Sequence, residues 1–570
     1  MEGMHDTEKC SHKLHIQALV ADSGKGTRKE EKKRTCPVPQ GRRITLGKQF
    51  PPCACTRRKD STMEQWAFKD CCLVFIIHLI MVPYGSHGSE PLVDELFNYI
   101  DTHQDEFVQD LKDWIAIPSD SSDPLLRGDL SKMVEITAES LQALGATVNL
   151  VDMGEEKLND GRSIPFPKAI LAELGKNSSK ATVCIYGHVD VQPAKKEDGW
   201  KTDPYNMTEI NGNLYGRGAT DNKGPVLAWI NAVKTYRTLD QEIPVNIKFI
   251  IEGVEETGSP GLEDLIKANA SFFADVDYIV ISDNLWLSRK PALTYGTRGS
   301  AYFFVEVEGG TKDLHSGTFG GIIHEAMRDL VYLLANLIDS SGHILIPGIC
   351  DDVAPLTEEE RRLYENIDFD LEEHKNNGGV NTFLYSTKEE ILQHLWRYPS
   401  LTIHGIEGAF SGPGSKTVIP SKVIGKFSIR QVPDMKSAVV QQQVTKHLED
   451  VFAKLKSPNK LTVSMQIGAS PWVADVNDPQ YEAARNAITK VFGVPPDMIR
   501  DGSTIPLARI FQDLTKKSVM MLPIGGADDG EHSQHEKISR SNYIQGTKLF
   551  AIFFLELSKV HEELMAKKQP

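Results

Sequence analysis

Cysteine is scarce in this chain: 8 among 570 residues, four of which (Cys10, Cys36, Cys53 and Cys55) precede residue 62. Cys53-Ala-Cys55 has neither a zinc nor a redox spacing, and beyond Cys72 only Cys184 and Cys350 remain. No disulfide framework is implied, and cysteine usage leaves the compartment open. Long hydrophobic runs are also missing. The stretch Cys71–Val82 is only twelve residues, too short to span a bilayer but suited to the core of a signal peptide. Basic charge is short as well. The net charge is −15, which argues against a nucleic-acid partner. There are no internal repeats.

Hydrophobic residues make up 40% of the chain and charged residues 25%, as in globular proteins. The length exceeds one core and predicts two domains plus a tail. Charge is unevenly spread: residues 1–62 hold 14 Lys/Arg against 7 Asp/Glu, giving +7 there and −22 over the remainder. With a basic cluster from Lys25 to Arg34 and no apolar periodicity, residues 1–62 read as a disordered basic leader. Residues 63–88 read as a signal peptide, with Met63 as a start and Ser86-His87-Gly88 as small residues for cleavage. Secretion is therefore expected, with a cytoplasmic protein as the alternative. Asn177, Asn206 and Asn269 open glycosylation sequons for a secreted chain.

The most informative pattern is a set of acidic residues and histidines placed where apolar runs stop. Thr182–Tyr186 runs into Gly187-His188-Val189-Asp190. Val245–Ile251 runs into Glu252-Gly253-Val254-Glu255-Glu256, and Tyr278–Ile281 runs into Ser282-Asp283. Gly216-Arg-Gly-Ala-Thr-Asp221-Asn-Lys-Gly224 lies between the first two, and Asp529-Gly-Glu-His532-Ser533 comes near the end. Short β-branched runs of this kind predict buried strands of a mainly parallel sheet, which binds ligands beyond the strands' carboxyl ends. Taken singly, a strand-end Asp or Glu is a turn residue or a helix cap. Five together point to a metal.

Two histidines with three or four carboxylates suit zinc or manganese, and the absence of cysteine from the set excludes a soft thiolate site. In an extended segment His188 and Asp190 project to one side, which suits a ligating imidazole oriented by a carboxylate. Adjacent Glu255 and Glu256 cannot easily face the same way, so one can bind metal while the other holds a water as general base. A carboxylate shared between two ions would let both polarise the reacting groups.

With these motifs, and with Leu314-His-Ser-Gly317, the chain resembles the M20 metallopeptidases over about residues 92–557. His404–Phe410, Lys426–Arg430 and Asp501–Pro506 are similar to the carnosinase-like dipeptidases within that family, and Gly530-Glu-His-Ser-Gln534 to their secreted, β-Ala-His-cleaving members. The resemblance implies two zinc or manganese ions bridged by Asp221. His188 and Asp283 would complete one ion, Glu256 and His532 the other. Glu255 would be the general base and Asp190 the carboxylate that orients His188. It further implies a cis peptide after Asp221. His315 would stabilise the oxyanion across a homodimer, and Arg430, Thr417 and Ser503 would hold the substrate carboxylate. One position departs from the family. Ser470 stands before Pro471-Trp472 where the family has a substrate-holding histidine, so weakened but real activity is expected.

The apolar pattern places the first part of the catalytic domain at 89–297, an inserted α/β sandwich lid at 298–470, and the second part of the catalytic domain at 471–570; the resemblance implies that the lid mediates dimerisation. Residues 358–377 are highly charged and read as a solvated helical excursion of the lid. The sequence reads as a metal-dependent dipeptidase for Xaa-His peptides such as carnosine, with a dipeptide substrate, a homodimeric partner, and neither nucleic acid nor membrane. The alternatives are a cytosolic-type non-specific dipeptidase acting on Cys-Gly, and a weakly active or inactive member serving as a binding protein.

Overall fold

The computed structural model describes residues 91–158 and 160–568; the basic leader and the expected signal segment lie outside them. A large sheet runs in the order Thr147–Val151, Ala169–Leu174, Asn246–Glu252, Thr182–His188, Tyr278–Ile281, Ser518–Met521, Ala292–Thr297, Trp472–Val473, with Asp497–Asp501 also paired to Ala292–Thr297. Its four central strands, from Asn246–Glu252 to Ser518–Met521, are mutually parallel. Antiparallel pairings flank them on both sides.

The central strands are buried on both faces, which is why they read as continuous apolar runs. The period of two still sorts their side chains. Val183, Ile185, Phe249 and Val280 point into a core with the helices Lys223–Thr238 and Arg540–Lys568. Cys184, Tyr186, Ile250 and Ile281 join Leu265, Leu507 and Phe511 on the other side. Trp229 and Phe550 stack at 3.7 Å between the two long helices. None of the described helices is long and apolar enough to cross a membrane.

Residues 299–469 supply a second, wholly antiparallel sheet in the order Ser400–Glu407, Lys422–Gln431, Gly299–Glu308, Lys460–Ala469. Here the alternation is plain. Ala301, Phe303, Val305 and Val307 are buried against Leu330 and Leu333 of the helix Ala326–Ala335 and Val444 and Leu448 of Ser437–Leu455. One helical layer on one sheet face is the expected α/β sandwich lid, inserted between the two parts of the large sheet.

The charged excursion is helical at Glu358–Asn366 and Leu371–Asn377 and most of its charged side chains are exposed, but one face is buried, and not in the lid. Tyr364 and Ile367 pack with Trp286, Trp396 and Ile499 beside the large sheet. Buried Glu360 pairs with Arg397 and Arg500, each at 2.7 Å, and accepts from Tyr295 and Tyr364. High charge density hid an amphipathic face whose acidic member is neutralised in the interior.

Candidate metal centre

The site forms where the parallel strands end. His188 closes the strand Thr182–His188 and lies in register with Glu252. Asp283 follows Tyr278–Ile281 by two residues, and Glu255 opens the short turn after Asn246–Glu252. Asp221 comes from the loop before the helix Lys223–Thr238, and its peptide to Asn222 is cis. That loop is tight. A Cβ at Gly224 would lie 2.1 Å from the Ala219 carbonyl oxygen, so no other residue fits there. His532 arrives from the opposite end of the chain with a left-handed backbone, φ 57°.

Asp221 lies between the two histidines. Its Oδ1 is 3.1 Å from His188 Nε2, and its Oδ2 is 2.9 Å from His532 Nε2. Asp283 Oδ1 lies 3.3 Å from His188 Nε2, and Glu256 Oε2 lies 2.9 Å from His532 Nε2. The result is two ligand groups, His188–Asp221–Asp283 and Asp221–Glu256–His532, each with its donor atoms within 4.8 Å of one another. Asp190 Oδ1 is 3.2 Å from His188 Nδ1, which turns Nε2 towards the carboxylates. The same carboxylate accepts from the amides of Glu255 and Glu256 at 3.2 and 3.0 Å, fixing the turn that separates those two side chains.

The electrostatics fit divalent cations. Burial, joined by the charges of Asp283, Glu256 and Asp190, pushes the Glu255 carboxyl well above its ordinary range. Burial likewise raises Glu256 and Asp283. Burial alone would raise Asp221, but hydrogen bonds from His188 and His532 hold it far below. Its bond to Asp221, then that to Glu256, lifts His532 to about 11. Among the described residues no Lys or Arg pairs with Asp221, Glu255, Glu256 or Asp283; their ionic partners are the two histidines. Hard and borderline donors with excess negative charge and no thiolate are what zinc or manganese accepts.

Residues 184–556 match Peptidase family M20/M25/M40. The chain belongs to this family. Beta-Ala-His dipeptidase of Rattus norvegicus is 65% identical over 473 residues, 82% of this chain and 96% of the rat protein. The crystal structure of human carnosine dipeptidase 1 matches with a TM-score of 0.76 at 63% identity, covering 82% of this chain and 99% of that one. Cys-Gly metallodipeptidase dug1 of Schizosaccharomyces pombe is 46% identical over 471 residues, 82% of this chain and 99% of the yeast protein. As an M20 peptidase the chain is metal-dependent, and the family expected from its motifs is the one it belongs to.

The remaining candidate residues fall into separate groups. Arg430 Nη1 donates to Thr504 Oγ1 at 2.6 Å, beside Ser503 in the loop after Asp497–Asp501. His315 and Thr417 are both exposed; His315 ends the ladder Leu314–His315 with Val418–Ile419, and Thr417 O, just before it, accepts from Ser316 N at 3.1 Å. The His315 ring accepts from Gly317 N at 3.0 Å and, among the described residues, pairs with no carboxylate of the metal groups. Ser470 is exposed at the crossover from the lid sheet to Trp472.

Sequence reasoning missed the supports of this site. Gln192 Nε2 donates to Glu256 Oε2 at 2.9 Å. The fully buried Glu536 carboxylate accepts from Arg217 Nη1, Gly218 N, Thr220 N and Asp221 N at 2.9–3.0 Å. Asp529 accepts from Thr220 Oγ1 at 3.1 Å and pairs with Lys537. The return segment therefore carries His532 and also grips the loop that presents Asp221. Glu536 and its partners are 315–319 positions apart, so no local pattern could have linked them.

Proposed function

We propose that this chain is a two-metal dipeptidase that prefers Xaa-His substrates of the β-Ala-His kind. One observation carries the reading: the two oxygens of Asp221 face different histidines, and each histidine has a further carboxylate beside it. His188, Asp221 and Asp283 would hold one ion, and Asp221, Glu256 and His532 the other, zinc or manganese in both. When bound, such ions polarise a carbonyl and make water a nucleophile at neutral pH.

The protein's own groups complete the reaction. Glu255 stands 4.0 Å from His188 Nε2 and outside both ligand groups. It takes the proton of the attacking water and returns it to the leaving amine. Asp190 keeps His188 in one tautomer and orientation. Arg430 and Ser503 receive the substrate carboxylate, joined by Thr417, which sits beside His315 and so reaches the same site from a second copy. His315 donates to the developing oxyanion. Because His315 is exposed, belongs to neither ligand group and is held on its own chain by a bond from Gly317 N, we assign it to the site of a second copy in a homodimer. The Xaa-His preference follows the 63–65% identity to proteins named Beta-Ala-His dipeptidase, against 46% for the Cys-Gly enzyme. Secretion is part of this reading, supported by surface positions at all three sequon asparagines: Asn177 and Asn206 are exposed and Asn269 half-buried.

The test is a dipeptide panel with metal analysis on the purified chain. Two ions per chain and faster hydrolysis of β-Ala-His than of Cys-Gly are expected. Preference for Cys-Gly would overturn the substrate assignment. Metal binding without turnover would favour a binding protein.

A further inference from the structure

Two guanidiniums flank the loop Asp501–Thr504. Arg430 reaches it from the lid strand Lys422–Gln431 through Thr504 Oγ1. Arg298 reaches it from the crossover between the large sheet and the lid sheet, and is 8% exposed. Its Nε donates to Gly502 O at 3.0 Å, its Nη1 to Ser400 Oγ at 2.9 Å, and its backbone N to Ser503 O at 3.0 Å. Ser400 is the register partner of Arg430. One side chain thus ties the loop, the lid strand beside Arg430 and the domain crossover together.

The two arginines share a shortage of negative charge. Among the described residues neither forms an ion pair with a carboxylate; their side-chain partners are Gly502 O, Ser400 Oγ and Thr504 Oγ1. The neighbouring arginines behave differently, since Arg397 and Arg500 are both paired directly with Glu360. Asp501 acts on both Arg298 and Arg430 from beyond pairing distance, while its Oδ1 accepts from Ser503 N. Burial, with Arg430 beside it, pushes Arg298 down to about 10. A buried Arg298 and a half-buried Arg430, with no carboxylate at pairing distance of either among the described residues, lack an anion.

We propose that Arg298 is a positioning residue for the substrate's terminal carboxylate, holding the Asp501–Thr504 loop against Arg430 and keeping that pair in positive excess until a carboxylate fills it. The proposal rests on the dipeptidase reading and adds to it the reason for requiring a free C-terminus. A neutral C-terminal amide cannot supply the missing charge and should bind poorly.

The experiment compares the full chain with Arg298→Gln, Arg298→Lys and Ser400→Ala. It measures kcat and KM on β-Ala-His, and binding of L-histidine against L-histidinamide by competition and by calorimetry. The parent should prefer histidine to histidinamide by about tenfold or more, the range for a hydrogen bond to a charged group. Arg298→Gln should raise KM and erase most of that preference while kcat stays within about threefold. Arg298→Lys should recover part of the preference, because it restores charge without the fork. Ser400→Ala, which removes one bond and leaves the charge, should shift KM less and in the same direction. An unchanged histidine preference in Arg298→Gln, or an equal loss for acid and amide, would overturn the proposal, the second outcome marking a purely structural staple. If Arg298→Gln fails to fold, the Lys and Ala variants decide by the same ratio. A parent chain that binds histidine selectively yet cleaves no dipeptide would sink the dipeptidase reading and leave this one standing.

Discussion

Replacing Glu536 by Gln would show whether the return segment builds the metal site or merely closes the fold. In the native chain Oε2 accepts from Arg217 Nη1 and Gly218 N, and Oε1 from Thr220 N and Asp221 N. A carboxamide keeps the shape but has a single acceptor oxygen. Whichever way it turns, two of the four buried donors meet an NH₂ group. A buried donor left unmet costs about 1–3 kcal/mol, so the loop loses roughly 2–6 kcal/mol of preference for its present form. Partners that orient a ligand typically account for about 10–100-fold in metal affinity. Because Asp221 belongs to both ligand groups, both ions should weaken together. The assay is metal content after dialysis against graded chelator, with the melting temperature of the stripped protein as control. A variant that melts lower when stripped but keeps both ions at parental affinity would refute the positioning role. Loss of only one ion would refute the shared aspartate.

Glu255→Gln should keep both ions and lose at least about 10²–10⁴-fold in turnover, whereas Glu256→Gln should weaken one metal site; equal metal loss in the two variants, read by the same dialysis, would reverse the assignments. Mixing Glu255→Gln chains with His315→Ala chains should restore activity in heterodimers that carry one intact site, and failure after proven subunit exchange would confine the site to one chain. Burial, with Asp190 nearby, pushes Glu252 up to about 7 from 4.5, and its buried Oε2 has no partner. A folded-state pKa raised in this way favours the fold fully below the unfolded pKa, and that contribution is lost as pH rises from about 4.5 through 7. In chelator-treated protein Glu252→Gln should therefore gain stability over the parent at pH 8 relative to pH 5, by at most about 3 kcal/mol. Parallel melting curves at the two pH values would show that Glu252 does not titrate in that window.

The chain's local pattern was enough to pick out the candidate ligands and the type of sheet that carries them. A buried parallel strand shows as a short apolar run, and its end shows as the point where that run meets His188, Glu252 or Asp283. These are properties of adjacent residues. The pairing of His188 with Asp190, two positions apart on one side of an extended segment, was legible for the same reason. What the sequence left undecided depends on contacts between distant segments. Glu536 looked like any surface glutamate until folding placed it under the Gly216–Asp221 loop. Arg298 looked like a crossover residue until the lid strand and the Asp501–Thr504 loop closed around it. The excursion at 358–377 looked solvated because its charges outnumber its apolar residues, yet Glu360 finds two arginines in the interior. Burial of charge is a pairwise property: a carboxylate goes inside only when partners meet it there. Composition can report the carboxylate; only the tertiary structure supplies the partners.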